Sequence, residues 1–212
     1  ELSATLDDFN WVGMRGYSVT IPHKEAALAK ATLSEEIVRQ IGAANTLVKR
    51  PEGWWADNTD YAAALESLET AFRAGESLDG KKVLILGAGG AARAIALGVV
   101  RRGGGLVIAS RTTERAKKLS VELGCRYVTW ENRGSELIDI LINCTPVGMH
   151  PKVDETPFQP HWLREEMLVF DTIYNPEIGL SHLEQMNYTF GPAVTAALPK
   201  GHPAAPDALK DK

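Results

Sequence analysis

Apolar residues follow two rhythms along this chain. In its second part they gather into short unbroken runs, Val83-Leu-Ile-Leu86, Leu106-Val-Ile-Ala109, Ile138-Asp-Ile-Leu-Ile-Asn143 and Met167-Leu-Val-Phe170. Such runs, bounded by turn residues, are what strands covered on both faces of a parallel sheet require. They predict strands over 83–86, 106–110, 138–143 and 167–170, alternating with helices over 91–102 and 113–123. The first part is more broken. It predicts a strand over 17–21, a helix over 25–31, a short helix capped by Ser34 with Ile37, Val38 and Ile41 on one face, and a strand over 46–49. Pro51-Glu52-Gly53 is a turn signal that returns Trp54-Trp55-Ala56 as an antiparallel partner. Leu65, Leu68 and Phe72 then sit at helical spacing over 61–74, and Gly75 with Asp79-Gly80 marks a break.

The predicted class is α/β, a doubly wound parallel sheet of the Rossmann type joined to a smaller α/β unit. The reason for naming that sheet lies in the first strand–helix turn, Gly87-Ala88-Gly89-Gly90-Ala91-Ala92, which fits G-x-G-x-x-A. The first glycine permits a tight turn, the second lets a pyrophosphate approach the backbone, and the small Ala92 lets helix and strand pack closely. Glycines can serve packing alone, so the motif by itself is weak. Here Gly103-Gly104-Gly105 ends the helix and the next strand follows at once, completing the βαβ context.

The end of that second strand selects the dinucleotide. An NAD site places Asp or Glu there to accept from the ribose hydroxyl. This chain has Ser110-Arg111-Thr112-Thr113-Glu114-Arg115. Arg111 and Arg115 flank a helix N-terminus, where the macrodipole disfavours cations unless an anion is present, and the 2′-phosphate of NADP supplies one. The bland alternative, two arginines in water, costs only a fraction of a kcal/mol.

A second group of residues lies upstream: Ser18-Val-Thr-Ile-Pro-His-Lys24, then Ala44-Asn45-Thr46, then Asn58-Thr59-Asp60. It offers one lysine, small hydrogen-bonding side chains and one carboxylate, suited to gripping a polyhydroxylated acid. Read alone, Lys24 merely opens an exposed helix.

Composition narrows the field. With 23 Lys and Arg against 27 Asp and Glu, the net charge of −4 offers no basic stripe for nucleic acid. Arg93, Arg101 and Arg102 interrupt the longest apolar stretch, so no membrane span of about 18 residues is expected. Two isolated cysteines, Cys125 and Cys144, lack metal-ligand spacing, predict no metal site, and fit a reducing compartment such as the cytoplasm. Cys144 is read as structural.

Taken in order, Ser18-Val-Thr-Ile-Pro-His-Lys24, Gly42-Ala-Ala-Asn-Thr46, Asp57-Asn-Thr-Asp60, Gly87-Ala-Gly-Gly-Ala91, Ser110-Arg-Thr112 with Arg115, Asn143-Cys-Thr145 and Asp171-Thr-Ile-Tyr174 resemble the shikimate dehydrogenases. His150-Pro-Lys-Val-Asp-Glu-Thr-Pro157 is similar to the dehydrogenase half of bifunctional dehydroquinate dehydratase–shikimate dehydrogenases. The resemblance implies NADPH-dependent, reversible reduction of 3-dehydroshikimate, with quinate dehydrogenase or a non-catalytic NADP-binding relative as alternatives. It implies Lys24 and Asp60 as the catalytic pair, and Ser18, Thr20, Lys24, Asn45, Asp60 and Tyr174 at the substrate. Gly87, Ala88, Gly89, Gly90, Ala91, Ser110, Arg111, Thr112, Arg115, Thr145 and Thr172 would hold NADP. A small-molecule substrate is the expected partner, with a fused or neighbouring dehydroquinase. The expected division is an incomplete substrate unit over 1–62, which begins after the family's substrate-binding serine pair, an NADP-binding unit over 63–176, and a Pro- and Ala-rich tail over 177–212, read as poorly ordered and lacking the family's glutamine.

Overall fold

The computed structural model describes residues 13–72, 74–151, 153–173 and 194–195. The larger unit is a six-stranded, wholly parallel sheet. Its strands are β5 (Lys82–Leu86), β6 (Gly105–Ala109), β7 (Arg126–Val128), β8 (Ile140–Asn143), β9 (Leu168–Asp171) and β10 (Val194–Thr195). They lie in the order β7-β6-β5-β8-β9-β10. That is the strand order of the doubly wound dinucleotide fold, whose direction of winding reverses between β5 and β8.

Alternation along β5 explains the unbroken apolar runs. Val83 and Ile85 face a core shared with Leu65, Leu68, Ile95, Ile108 and Phe170. Leu84 and Leu86 face the opposite core with Val107, Leu141, Phe158 and Val169. Both faces are covered, so neither carries polar residues. The strands β5 and β6 are joined through α4 (Gly90–Arg101), which follows α3 (Thr59–Thr70) in this layer. These two helices touch at Gly98, where a Cβ would run into the Leu65 side chain. The helix α5 (Thr113–Leu123) has the boundaries expected from sequence.

The smaller unit is built from β1 (Gly16–Ser18), β2 (Leu33–Ser34), β3 (Thr46–Arg50) and β4 (Gly53–Asp57), which form a four-stranded sheet in the order β1-β3-β4-β2. The β3–β4 hairpin is antiparallel as expected, with Val48 opposite Trp55. Two helices complete it, α1 (Lys24–Lys30) and α2 (Glu36–Ile41).

Several expectations are corrected. The strand over 17–21 stops at Ser18, because Thr20 turns its carbonyl to accept from the His23 N–H at 2.9 Å. Ser34 does not cap α2; it pairs with Ala56 in β2, and Glu35 precedes the helix without a side-chain cap. The helix over 61–74 begins earlier and ends at Thr70, because Asn58 accepts from the Asp60 N–H and starts it. β2 and β7 had no apolar run to announce them. Of the tail over 177–212 the described residues are Val194 and Thr195, which pair in parallel with Phe170 and Asp171; the rest of that expectation lies outside the described residues.

Polar links tie the two units together. Arg93 on α4, fixed within its own unit by Glu122 on α5 at 2.6 Å, donates to the Ile41 carbonyl at 2.7 Å, and Arg101 donates to Gln40 at 2.6 Å. Beneath them Ile41 and Ala43 pack on Ala94 and Leu97. Among the described residues no helix is long and apolar enough to cross a membrane, and no group of three His, Cys, Asp or Glu is placed to hold a metal.

Candidate functional site

Lys24 is the first residue of α1 and Asp60 the second of α3, and the fold brings the two together. Nζ of Lys24 donates to Oδ2 of Asp60 at 2.6 Å, with the lysine side chain only 13% exposed. The other carboxylate oxygen accepts from Nδ2 of Asn45 at 2.9 Å. Asn45 is itself fixed: its Oδ1 accepts from the Thr59 N–H at 3.1 Å and the Thr46 hydroxyl at 3.0 Å, which obliges its NH₂ group to face Asp60. Buried Asn58 donates to the Ala43 carbonyl at 2.8 Å while capping α3. The start of α1 is held by the Ala44 N–H, which donates to the Lys24 carbonyl at 2.8 Å. The ion pair is therefore aimed by a network anchored in β3, β4 and α3.

The glycine loop forms the facing wall. Gly87 has φ of +111°, and a Cβ there would also meet the Cys144 carbonyl at 2.8 Å, so only glycine fits. At Gly89 an added Cβ would meet nothing within 4 Å, leaving open space beside the N-terminus of the twelve-residue α4. Unpaired first-turn N–H groups and the helix dipole make such a terminus receptive to a phosphate. Gly90 has a different reason to be glycine: its Cβ would lie 3.0 Å from both Cβ and Cδ of Lys24. The stem of the lysine rests on the first turn of the dinucleotide helix.

The third wall follows β6. Ser110 is buried and its hydroxyl accepts from the Thr112 N–H at 3.3 Å, shaping the turn into α5. Arg111 and Arg115 line the cleft, whose volume is about 300 Å³. Arg115 is bonded through Nη2 to Oε1 of Glu25 on α1.

Behind the loop lies a polar network at the ends of β8 and β9. Oδ1 of Asn143 accepts from the Thr145 N–H at 3.0 Å and its hydroxyl at 2.7 Å, and Nδ2 donates to Asp171 at 3.1 Å. Thr172 donates its hydroxyl to the Asn143 carbonyl at 2.9 Å. Burial pushes the Asp171 carboxyl up to about 6, opposed by the Ile173 N–H and the Asn143 amide. Burial also pushes the Cys144 thiol far up, with Asp171 and Asp60 adding to it, so the thiol stays protonated and inert.

A family model described as shikimate/quinate 5-dehydrogenase matches residues 69–186, more than half of the chain. The chain belongs to the shikimate/quinate 5-dehydrogenase family. A model of the shikimate dehydrogenase substrate binding domain also matches, over residues 1–47. The NADP(+) shikimate dehydrogenase of Moorella thermoacetica is 40% identical over 187 residues, 83% of this chain and 62% of that protein. The chloroplastic bifunctional 3-dehydroquinate dehydratase/shikimate dehydrogenase of Arabidopsis thaliana is 36% identical over 178 residues, 77% of this chain and 30% of that one. The crystal structure of shikimate 5-dehydrogenase from Thermus thermophilus in complex with NADP(H) and shikimate aligns with a TM-score of 0.66 at 34% identity, covering 77% of this chain and 60% of that one. This member of the shikimate/quinate 5-dehydrogenase family spans about three fifths of the length of its curated shikimate dehydrogenase relatives.

Of the site residues expected for this family, Lys24, Gly87, Ala88, Gly89, Gly90, Ser110, Arg111, Thr112, Arg115 and Thr145 line one cleft. Asn45 and Asp60 join it through Lys24. Ser18 and Thr20 are exposed at the end of β1, Ala91 lies within the first turn of α4, and the Thr172 hydroxyl is engaged by Asn143. Tyr174 lies outside the described residues. Sequence reasoning missed Glu25, and it quoted Asn58, Asn143 and Asp171 within motifs without giving them a role. Glu25 was hidden because an acid in a first helical turn already satisfies the helix dipole. Asn58 had a visible signal, standing just before a helical pattern as caps do.

Proposed function

We propose that this chain is an NADP-dependent shikimate dehydrogenase, catalysing reversible reduction of 3-dehydroshikimate to shikimate in aromatic amino acid biosynthesis. The seating of Lys24 carries the reading: its ammonium is held by Asp60 at 2.6 Å while its stem rests against Gly90, where the dinucleotide helix begins. A proton donor and a dinucleotide loop thus face one cleft. The residues present fit the cofactor, since Gly89 opens space beside the α4 terminus and Arg111 and Arg115 offer positive charge at the end of β6. When bound, the dinucleotide supplies the hydride.

The chain's own residues supply the rest. Lys24 Nζ stabilises negative charge growing on the carbonyl oxygen and gives it a proton, and in the oxidative direction receives it from the hydroxyl. Asp60, aimed by Asn45 and Asn58, keeps Nζ in place. Ser18, Thr20, Asn45 and Tyr174 are assigned to the substrate's hydroxyl and carboxylate groups. Gly87 to Ala91, Ser110 to Thr112, Arg115, Thr145 and Thr172 are assigned to NADP. In domain terms, residues 1–62 serve the substrate and 63–176 the cofactor. The ketone would come from a neighbouring or fused dehydroquinase, in the cytoplasm.

The test is dinucleotide reduction by the purified chain with shikimate or quinate, each with NADP⁺ or NAD⁺. Turnover fastest with shikimate and NADP⁺ is expected. Faster turnover with quinate and NAD⁺ would reassign the substrate and cofactor, and tight NADP⁺ binding without turnover would make the chain a non-catalytic binder.

A further inference from the structure

Arg115 stands where a 2′-phosphate would need it, yet its guanidinium is already engaged. Its partner is Glu25, the residue after Lys24 on the other side of the cleft. Both side chains line the cleft, and both are about half exposed, at 53% and 49%. The other side-chain links between the units that were described above, Arg93 with the Ile41 carbonyl and Arg101 with Gln40, go to α2 and to residues away from the cleft wall. Among the described residues four charged side chains line the cleft: Lys24, Glu25, Arg111 and Arg115. Lys24 is held by Asp60, so the cations remaining for an anion are the two arginines, and Glu25 occupies one of them.

We propose that Glu25 is an internal competitor for the phosphate that distinguishes NADP from NAD. Its carboxylate holds Arg115 in the absence of that phosphate and yields it on binding, so Glu25 sets the strength of the preference between the two dinucleotides. The inference rests on the NADP reading given above. The balance is physically reasonable. An exposed ion pair is weak, whereas a phosphate near −2 charge offers an arginine several acceptor oxygens and bidentate geometry. The dianion can displace the carboxylate, at the cost of the pair it breaks and the repulsion it meets from the released Glu25. NAD, with a plain ribose hydroxyl at that place, has no reason to disturb the pair.

Calorimetric titration of the full chain with NADP⁺ and with NAD⁺ tests this without relying on turnover. Glu25→Gln is expected to tighten NADP⁺ by about two- to fivefold and to leave NAD⁺ unchanged, the scale set by one weak exposed pair. Glu25→Asp keeps the charge but draws the carboxylate back by one methylene, and is expected to give part of the same gain. Unchanged NADP⁺ affinity in Glu25→Gln, or an equal change for both dinucleotides, overturns the proposal. No gain in Glu25→Asp also overturns it, because repulsion alone would then explain the neutral variant. Arg115→Gln guards the underlying reading: it is expected to weaken NADP⁺ at least tenfold. If the unaltered chain shows no preference for NADP⁺, or Arg115→Gln leaves the preference intact, the cofactor assignment itself fails and this inference falls with it.

Discussion

The two units of this molecule are held in shape by different forces. The six-stranded unit is fixed by apolar residues on both faces of its central strands, Val83 and Ile85 toward one core and Leu84 and Leu86 toward the other. Its contribution to the site is a backbone turn that needs Gly87, a helix terminus left open by Gly89, and the two arginines Arg111 and Arg115. The four-stranded unit has short strands and a modest core around Val38, Leu47 and Ala56. Its contribution is a set of side chains: Lys24, which pairs with Asp60 at the start of α3 where the chain passes into the larger unit, and Asn45 and Asn58, which hold Asp60 at its angle. Damage to the packed core of the first unit should therefore appear as lost stability, and damage to the polar network of the second mainly as lost turnover.

The largest stability effect is expected at Phe170, fully buried in β9. Phe170→Ala should lower unfolding free energy by about 3–5 kcal/mol, read from urea denaturation, because the rigid sheet cannot collapse into the cavity. A loss below about 1 kcal/mol would mean that packing does not hold the larger unit.

Asp171 sharpens the comparison through pH. Its folded carboxyl titrates at about 6, above the ordinary 3.8, because burial disfavours its charge. Between those values the folded state binds more protons than the unfolded one, so this group's contribution makes stability fall as pH rises from about 4 to 6, and the ionised group remains a penalty above that range. Asp171→Asn, which removes the charge and keeps an acceptor, should stabilise the protein at pH 8 by up to about 3 kcal/mol and much less at about pH 4. Thermal melts of both proteins at the two pH values measure it. Equal gains at both would assign the effect to something other than ionisation.

The smallest stability change is expected in the smaller unit. Asn58→Ala loses the α3 cap and leaves the Ala43 carbonyl without its amide partner, about 1–2 kcal/mol in denaturation. Turnover should fall further than that loss would suggest, because the same cap aims Asp60. Normal turnover in a folded Asn58→Ala protein would show that the network does not position the ion pair.

The same contrast governs what could be read from sequence. Strands β5, β6, β8 and β9 were legible within one or two residues because burial on both faces leaves an unbroken apolar run. β7 was not, since Arg126 and Tyr127 are exposed at what sequence shows only as a polar stretch near the sheet edge. Glycine motifs announced the dinucleotide loop, but not that Gly90 is kept small by Lys24. Lys24 and Asp60 were found through a family pattern spread over three segments; spacing alone would have left Lys24 a solvated helix residue. The Glu25–Arg115 pair joins residues 90 positions apart on two units, and nothing local marks it.

The central claim is that Lys24 carries the proton chemistry while the larger unit holds the dinucleotide independently of it. One variant, Lys24→Ala, measured two ways, tests this most directly: turnover with shikimate and NADP⁺, and the dissociation constant for NADP⁺. The account predicts turnover lower by about 10²–10⁴-fold with NADP⁺ affinity changed less than threefold. Turnover within tenfold of the unaltered protein would contradict it.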